Sequence, residues 1–176
     1  MQRKQGYRIR QMGIDDILSI ARLYRSLYGE KRTPLLGEAL AKKKPTEGEL
    51  LQTEIWWFRD LEKGNPIASV AEADGEVVGM CNVKCNWPGS EVGHVGELDM
   101  TVRKDYRGIG IGKALMKDVM DRSKKKFTLI QTYVMTSNVP SKRLLDRFGF
   151  KIAGTIPRRL RRNGKYYPDY LMYKEL

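Results

Sequence analysis

The stretch Val102-Arg103-Lys104-Asp105-Tyr106-Arg107-Gly108-Ile109-Gly110-Ile111-Gly112-Lys113 decides the fold. Before it, the run from His94 to Val102 alternates. Leu98, Met100 and Val102 fall on one face and Glu97, Asp99 and Thr101 on the other, the period of a β-strand with one acidic face. After it, Ile111, Leu115 and Val119 recur at helical spacing with Ala114 and Met116 beside them. A glycine-rich turn between a strand and a helix aims several backbone N–H groups at one point, and such a point binds phosphate. Glycine permits the unusual φ angles of the turn and leaves no Cβ to hold an anion away. Arg107 and Lys113 add positive charge there. The plainer alternative is a packing turn flanked by solvated basic side chains.

Two phosphate-binding patterns fail on these residues. A P-loop requires glycine where Arg107 stands and a magnesium-binding hydroxyl where Ala114 stands. The dinucleotide fingerprint requires a small residue where Leu115 stands, and it belongs to a doubly wound sheet. The Asp74-Gly75 pair between Ile67–Ala73 and Glu76–Asn86 instead predicts an antiparallel hairpin, because both turn positions must accept positive φ.

A third pattern, [QR]-x-x-G-x-[GA], is met by Arg107-Gly108-Ile109-Gly110-Ile111-Gly112. Here the chain resembles the GNAT superfamily of N-acetyltransferases, which holds the acetyl-CoA pyrophosphate on this turn. Tyr106 before the Arg-Gly pair, Asn138-x-x-Ser141-x-x-Leu144, and Phe148-Gly149-Phe150 extend the likeness over roughly residues 93–150. The resemblance implies one α/β GNAT-like domain spanning residues 1–176, with a mixed, largely antiparallel central sheet flanked by helices. It implies an acyltransferase that moves the acetyl group of acetyl-CoA directly to a primary amine, with no metal. A protein or peptide amine leads, on the Tyr-rich ending Tyr166-Tyr167-Pro168-Asp169-Tyr170-Leu171-Met172; polyamine or amino-acid acceptors remain open.

The same resemblance assigns the cofactor contacts. Arg107, Gly108, Gly110, Gly112 and Lys113 meet the phosphates, Met100 and Val102 line the thioester end, Asn138 bonds the pantetheine arm and Ser141 approaches the phosphate region. Asn138 also suits a helix N-cap. An ammonium must lose a proton before it attacks a thioester, so the acidic strand face supplies the candidate base, Glu97 first and Asp99 second. Either carboxylate alternatively binds the acceptor's positive end. The family's tyrosine after Leu144 is replaced by Leu145; Tyr133, or a C-terminal tyrosine such as Tyr173, is the candidate substitute acid, with aromatic core packing the plainer role for each.

Composition bounds the rest. A length of 176 residues suits one domain, and 41% hydrophobic residues supply a core. The net charge of +12 favours anionic partners, and Arg158-Arg159-Leu160-Arg161-Arg162-Asn163-Gly164-Lys165 carries much of it, either as a docking site for acidic protein or nucleic acid or as a solvated hairpin. A nucleic-acid-binding module without turnover is the contrasting class. Cys81 and Cys85 are expected to be structural, and His94 has no partner that would make it a base. The absence of a long apolar segment leads to the expectation of a cytoplasmic protein without a membrane partner; a homodimer is one assembly left open. Residues 30–64 are irregular, with a helix expected around Leu50 to Phe58, a lid or specificity role open, and plain packing expected for Trp56 and Trp57.

Overall fold

The computed structural model describes residues 6–28, 46–162 and 164–176. The first half of the irregular stretch, including Lys42-Lys43-Lys44-Pro45, and Asn163 of the last hairpin lie outside the described residues. Seven strands form one sheet in the order β1-β2-β3-β4-β5-β7-β6. They are β1 (Arg8–Gln11), β2 (Ile67–Ala73), β3 (Glu76–Lys84), β4 (Val95–Val102), β5 (Leu129–Met135), β6 (Lys151–Arg162) and β7 (Lys165–Glu175). All neighbours pair antiparallel except β4 and β5. The helices are α1 (Ile17–Tyr28), α2 (Glu47–Glu62), α3 (Ile111–Ser123) and α4 (Val139–Arg147).

The hairpin between β2 and β3 turns on Asp74 at φ 52 and Gly75 at φ 76, as the sequence requires. Both faces of β3 are buried from Val77 to Val83, which places it at the centre of the domain. On one face, Leu98, Ile130, Val134 and Met172 pack against Leu115, Met116 and Val119 of α3. On the other, Val70 and Met80 pack against Ile20 and Leu23 of α1. The entry to α1 is fixed by Asp16, whose carboxylate accepts the Gly13 N–H at 2.7 Å and hydrogen bonds from Arg10 Nη1 and Nη2, each at 2.7 Å.

One expectation is corrected. Trp56 is 56% exposed and only Trp57 is half-buried against the α1 core, so plain packing accounts for one of the pair. The basic cluster lies on the β6–β7 hairpin: residues 158–162 belong to β6, which pairs with β7 up to Arg162–Lys165.

Helix α3 lies close on the sheet at Gly79, where a Cβ would come within 3.3 Å of Ile111 Cγ2 and the Thr101 carbonyl. Gly96 has less room still, because a Cβ there would run into Val83 Cγ1 and stand 3.1 Å from Phe127 Cγ. Gly96→Ala is therefore expected to cost about 1–3 kcal/mol, the usual penalty of overpacking. Urea denaturation would show it as a lower midpoint at unchanged slope, and an unshifted midpoint would contradict the close approach.

Candidate active site

The parallel pairing of β4 with β5 ends at Glu97–Gln131, and beyond it the two strands diverge. The Leu98 carbonyl accepts a hydrogen bond from Thr132 Oγ1 at 2.9 Å, and the Arg103 N–H donates to the Val78 carbonyl at 2.8 Å. Strand alternation then turns the N–H groups of Leu98, Met100 and Val102 toward β5, and those of Glu97 and Asp99 toward β3. The divergence therefore opens a cleft of about 220 Å³ into which the Met100 N–H points.

Glu97 and Asp99 line one side of this cleft, with Tyr133, Asn138, Arg159 and Asp169 among the residues completing it. Asn86 Nδ2 donates to Glu97 Oε2 at 2.9 Å. Tyr24 Oη of α1 donates to Asp99 Oδ2 at 3.2 Å. Asp99 keeps an open surface toward the cleft yet lies deep among its walls. Desolvation raises its pKa, outweighing the Tyr24 hydroxyl, the Met100 N–H and the Lys84 ammonium, each of which favours the carboxylate. Burial likewise raises the pKa of Tyr24, with the Asp99 charge adding to it.

At the far end of β4 the glycine turn runs into α3. Gly108 has φ 80 and Gly110 φ 98, and Gly110 is the N-cap of α3 with no side-chain cap. The N–H groups of Ile111, Gly112 and Lys113 therefore have no intrahelical partner, and the first helical bond runs from Ala114 N–H to the Gly110 carbonyl at 3.0 Å. Among the described residues, no atom beyond its chain neighbours lies within 4 Å of where a Gly108 Cβ would stand, so that side of the turn is open. This shape and donor set fit a pyrophosphate.

The three glycines are not equivalent. Gly112 has no positive φ, and its Cβ would make ordinary contacts of 3.6 Å with Met100 and Leu144. Lys113 is exposed on the first turn. Arg107 is half-buried and its Nε donates to the Val102 carbonyl at 2.8 Å, so it braces the turn against β4 as well as carrying charge.

On α4, the Asn138 side chain accepts the Ser141 N–H at 3.2 Å. The N-cap role is thus real and engages Oδ1, while Asn138 also lines the cleft. Leu145 is buried in the cleft wall, so the position of the family's tyrosine is apolar. Tyr133 lines the cleft; Tyr173 is not among the residues that do. Two groups escaped the sequence reading. Tyr24 sits within the α1 apolar repeat and reads as core. Arg159 reads as one of a charge run, but its guanidinium lies over the Tyr133 ring, 4.8 Å from the centroid, on the cleft wall.

Among the described residues no group of His, Cys, Asp and Glu is arranged to hold a metal, and no helix is long and apolar enough to cross a membrane. Both cysteines are buried and unbridged.

The Acetyltransferase (GNAT) family model matches residues 22–150, and the chain belongs to that family. It is an acetyl-CoA-dependent N-acetyltransferase. It is similar to the L-methionine sulfoximine/L-methionine sulfone acetyltransferase of Pseudomonas aeruginosa, 27% identical over 150 residues, covering 85% of this chain and 83% of that one. It is also similar to an N-alpha-acetyltransferase of Sulfolobus acidocaldarius, 25% identical over 158 residues, covering 85% of this chain and 82% of that one. In fold it matches the phosphinothricin acetyltransferase of Sinorhizobium meliloti, solved with acetyl-CoA, at a TM-score of 0.81 and 20% identity over 97% of this chain and 88% of that one.

Proposed function

We propose that the chain acetylates an α-amino group at the diverging ends of β4 and β5, with Glu97 as the base and a peptide or protein N-terminus as the acceptor. The observation that carries the site is the meeting, in one cleft, of the Glu97 and Asp99 carboxylates with the cleft-facing Met100 N–H. Acetyl-CoA supplies the activated thioester. Gly108, Gly110 and the first N–H groups of α3, with Lys113, hold its phosphates; Arg107 braces their turn, and Val102 flanks the way into the cleft. Asn138 Nδ2 donates to the pantetheine amides, and Ser141 keeps that asparagine oriented.

Asp99, steadied by Tyr24, attracts the acceptor's ammonium, and Glu97, steadied by Asn86, takes its proton. The Met100 N–H stabilises negative charge on the carbonyl oxygen. Tyr133 is the hydroxyl on the cleft wall able to protonate the departing thiolate. A thiol pKa of about 8.5 makes that help modest, which suits a site with Leu145 at the usual position. The named relatives, one acting on amino-acid derivatives and one on N-alpha groups, both fit an α-amine.

A free α-amino acid is the second reading, favoured by Arg159: carboxylates and a guanidinium in one cleft match an acceptor bearing both an amine and a carboxylate. Thiol release measured over peptides, amino acids and polyamines separates the two. The proposal expects peptides with free N-termini to show the highest kcat/KM. Exclusive use of free amino acids would select the second reading, and a preference for polyamines would overturn both.

A further inference from the structure

Between Ile156–Asp169 and Leu160–Tyr167 the pairing of β6 with β7 slips, so that residues 157–159 face Pro168 alone. Pro157 and Pro168 lack N–H groups, and Arg158 takes a left-handed φ of 57, a conformation that non-glycine residues rarely adopt. The slip sends two neighbouring guanidiniums to different places. Arg159 lies over Tyr133 on the cleft wall, while Arg158 lies over Tyr166, 4.1 Å from the ring centroid. Arg161 approaches the same ring at 5.8 Å, and Arg158, Arg161, Lys165 and Tyr166 are all exposed.

We infer that this arm of the β6–β7 hairpin docks an acidic polypeptide segment, so that the enzyme prefers acceptors whose N-terminus is followed by Asp and Glu. The inference rests on the peptide reading above and names the class of peptide. A guanidinium stacked on an aromatic ring keeps its in-plane N–H donors available, in a fixed plane suited to carboxylates, and loses less side-chain freedom when it binds. The register slip makes the basic face continuous with the catalytic cleft, because adjacent residues belong to each. A chain lying along Arg161 and Arg158 therefore runs toward Arg159 and the carboxylates that receive its amine. Single-stranded nucleic acid binds chiefly through open aromatic faces. Here both arginines crowd the ring of Tyr166, which favours a carboxylate-bearing chain.

The test compares two peptides of equal length with the same N-terminal residue, one followed by Asp and Glu and the other by Ser and Gln, in thiol release at low and high salt. The acidic peptide should have a kcat/KM about tenfold higher at low ionic strength, an advantage carried mainly by KM and lost in about 0.5 M NaCl. Arg161→Gln with Lys165→Gln should bring the ratio of the two peptides close to one. The salt series on the unaltered enzyme reads the same effect should that variant fold poorly. Equal rates for the two peptides at every salt concentration would overturn the docking surface while leaving N-terminal acetylation standing. Failure of both peptides, with free amino acids accepted, would overturn the peptide reading itself. Competition by polyuridylate without any preference for the acidic peptide would assign the arm to nucleic acid instead.

Discussion

Glu97→Gln is expected to lower kcat/KM for an α-amine acceptor by about a hundredfold at about pH 6.5, within the usual contribution of a placed general base. At that pH an α-amino group, with a pKa of about 7.7–8.0, is mostly ammonium and has no lone pair to offer. The carboxylate that receives its proton therefore matters most in mildly acidic solution. Above about pH 9 the acceptor is already neutral, and the deficit should shrink to severalfold. Gln preserves the hydrogen bond from Asn86 Nδ2, which meets Glu97 Oε2 at 2.9 Å, so the loss reports the missing base and not a collapsed wall.

Asp99 is the competing base, and the same experiment separates the two carboxylates. Its desolvated carboxyl has a raised pKa, so it loses its charge at a higher pH than an ordinary aspartate as solutions become acidic. The ammonium-binding role assigned to it predicts that Asp99→Asn raises KM and leaves kcat, with its pH dependence, little changed. If Glu97→Gln leaves the profile intact and Asp99→Asn flattens its acid limb, the base lies one same-face position further along β4.

Gly110→Val carries the second large effect. At φ 98 and ψ −5 the position is open to glycine and hostile to a β-branched residue. A Cβ there would also stand 3.4 Å from Tyr7 Oη. The unaltered protein with acetyl-CoA at about a hundred times its Kd should gain about 2.7 kcal/mol, which for a domain of this size raises Tm by about 5–10 °C. The variant should fold with a lowered Tm and show almost none of that gain, because the N–H groups of the turn no longer converge. Gly112→Ala supplies the contrast: its φ is not left-handed and its Cβ meets only contacts of 3.6 Å, so most of the shift should survive. An equal loss in both variants would mean that bulk at the helix start, and not the backbone conformation at Gly110, governs binding.

Much of this site is written in local pattern. The alternation from His94 to Val102 and the helical spacing after Ile111 are short-range signals, and the glycines between them have few other uses. They locate β4, the turn and α3 with boundaries close to those observed. The hairpin at Asp74-Gly75 and the stop at Gly149, with φ 82, are legible because only certain residues tolerate those angles.

What was not legible depends on distant segments meeting. Tyr24 belongs to an apolar repeat and meets Asp99 only because α1 packs on β3, the neighbour of β4, bringing it to a partner 75 positions away. Arg159 is indistinguishable by composition from Arg158; a slip in the pairing of β6 with β7 gives one to the cleft and the other to the surface. The position of β7 between β5 and β6 follows from its long-range pairing with β5, to which no residue of the last hairpin gives a local clue.

The proposed reaction is direct transfer from acetyl-CoA to an amine held in the β4–β5 cleft. It needs no acyl-enzyme, and Cys81, the thiol nearest the site, is buried with its pKa pushed up by desolvation and by Asp99. Single-turnover quench, with intact-protein mass and free thiol followed together, tests this most directly. With acetyl-CoA alone, the protein mass should stay unchanged and no thiol should appear; adding a peptide with a free N-terminus should release one thiol for each acetylated α-amine. A burst of thiol before any acceptor is added, with an acetyl group left on the protein, would contradict it.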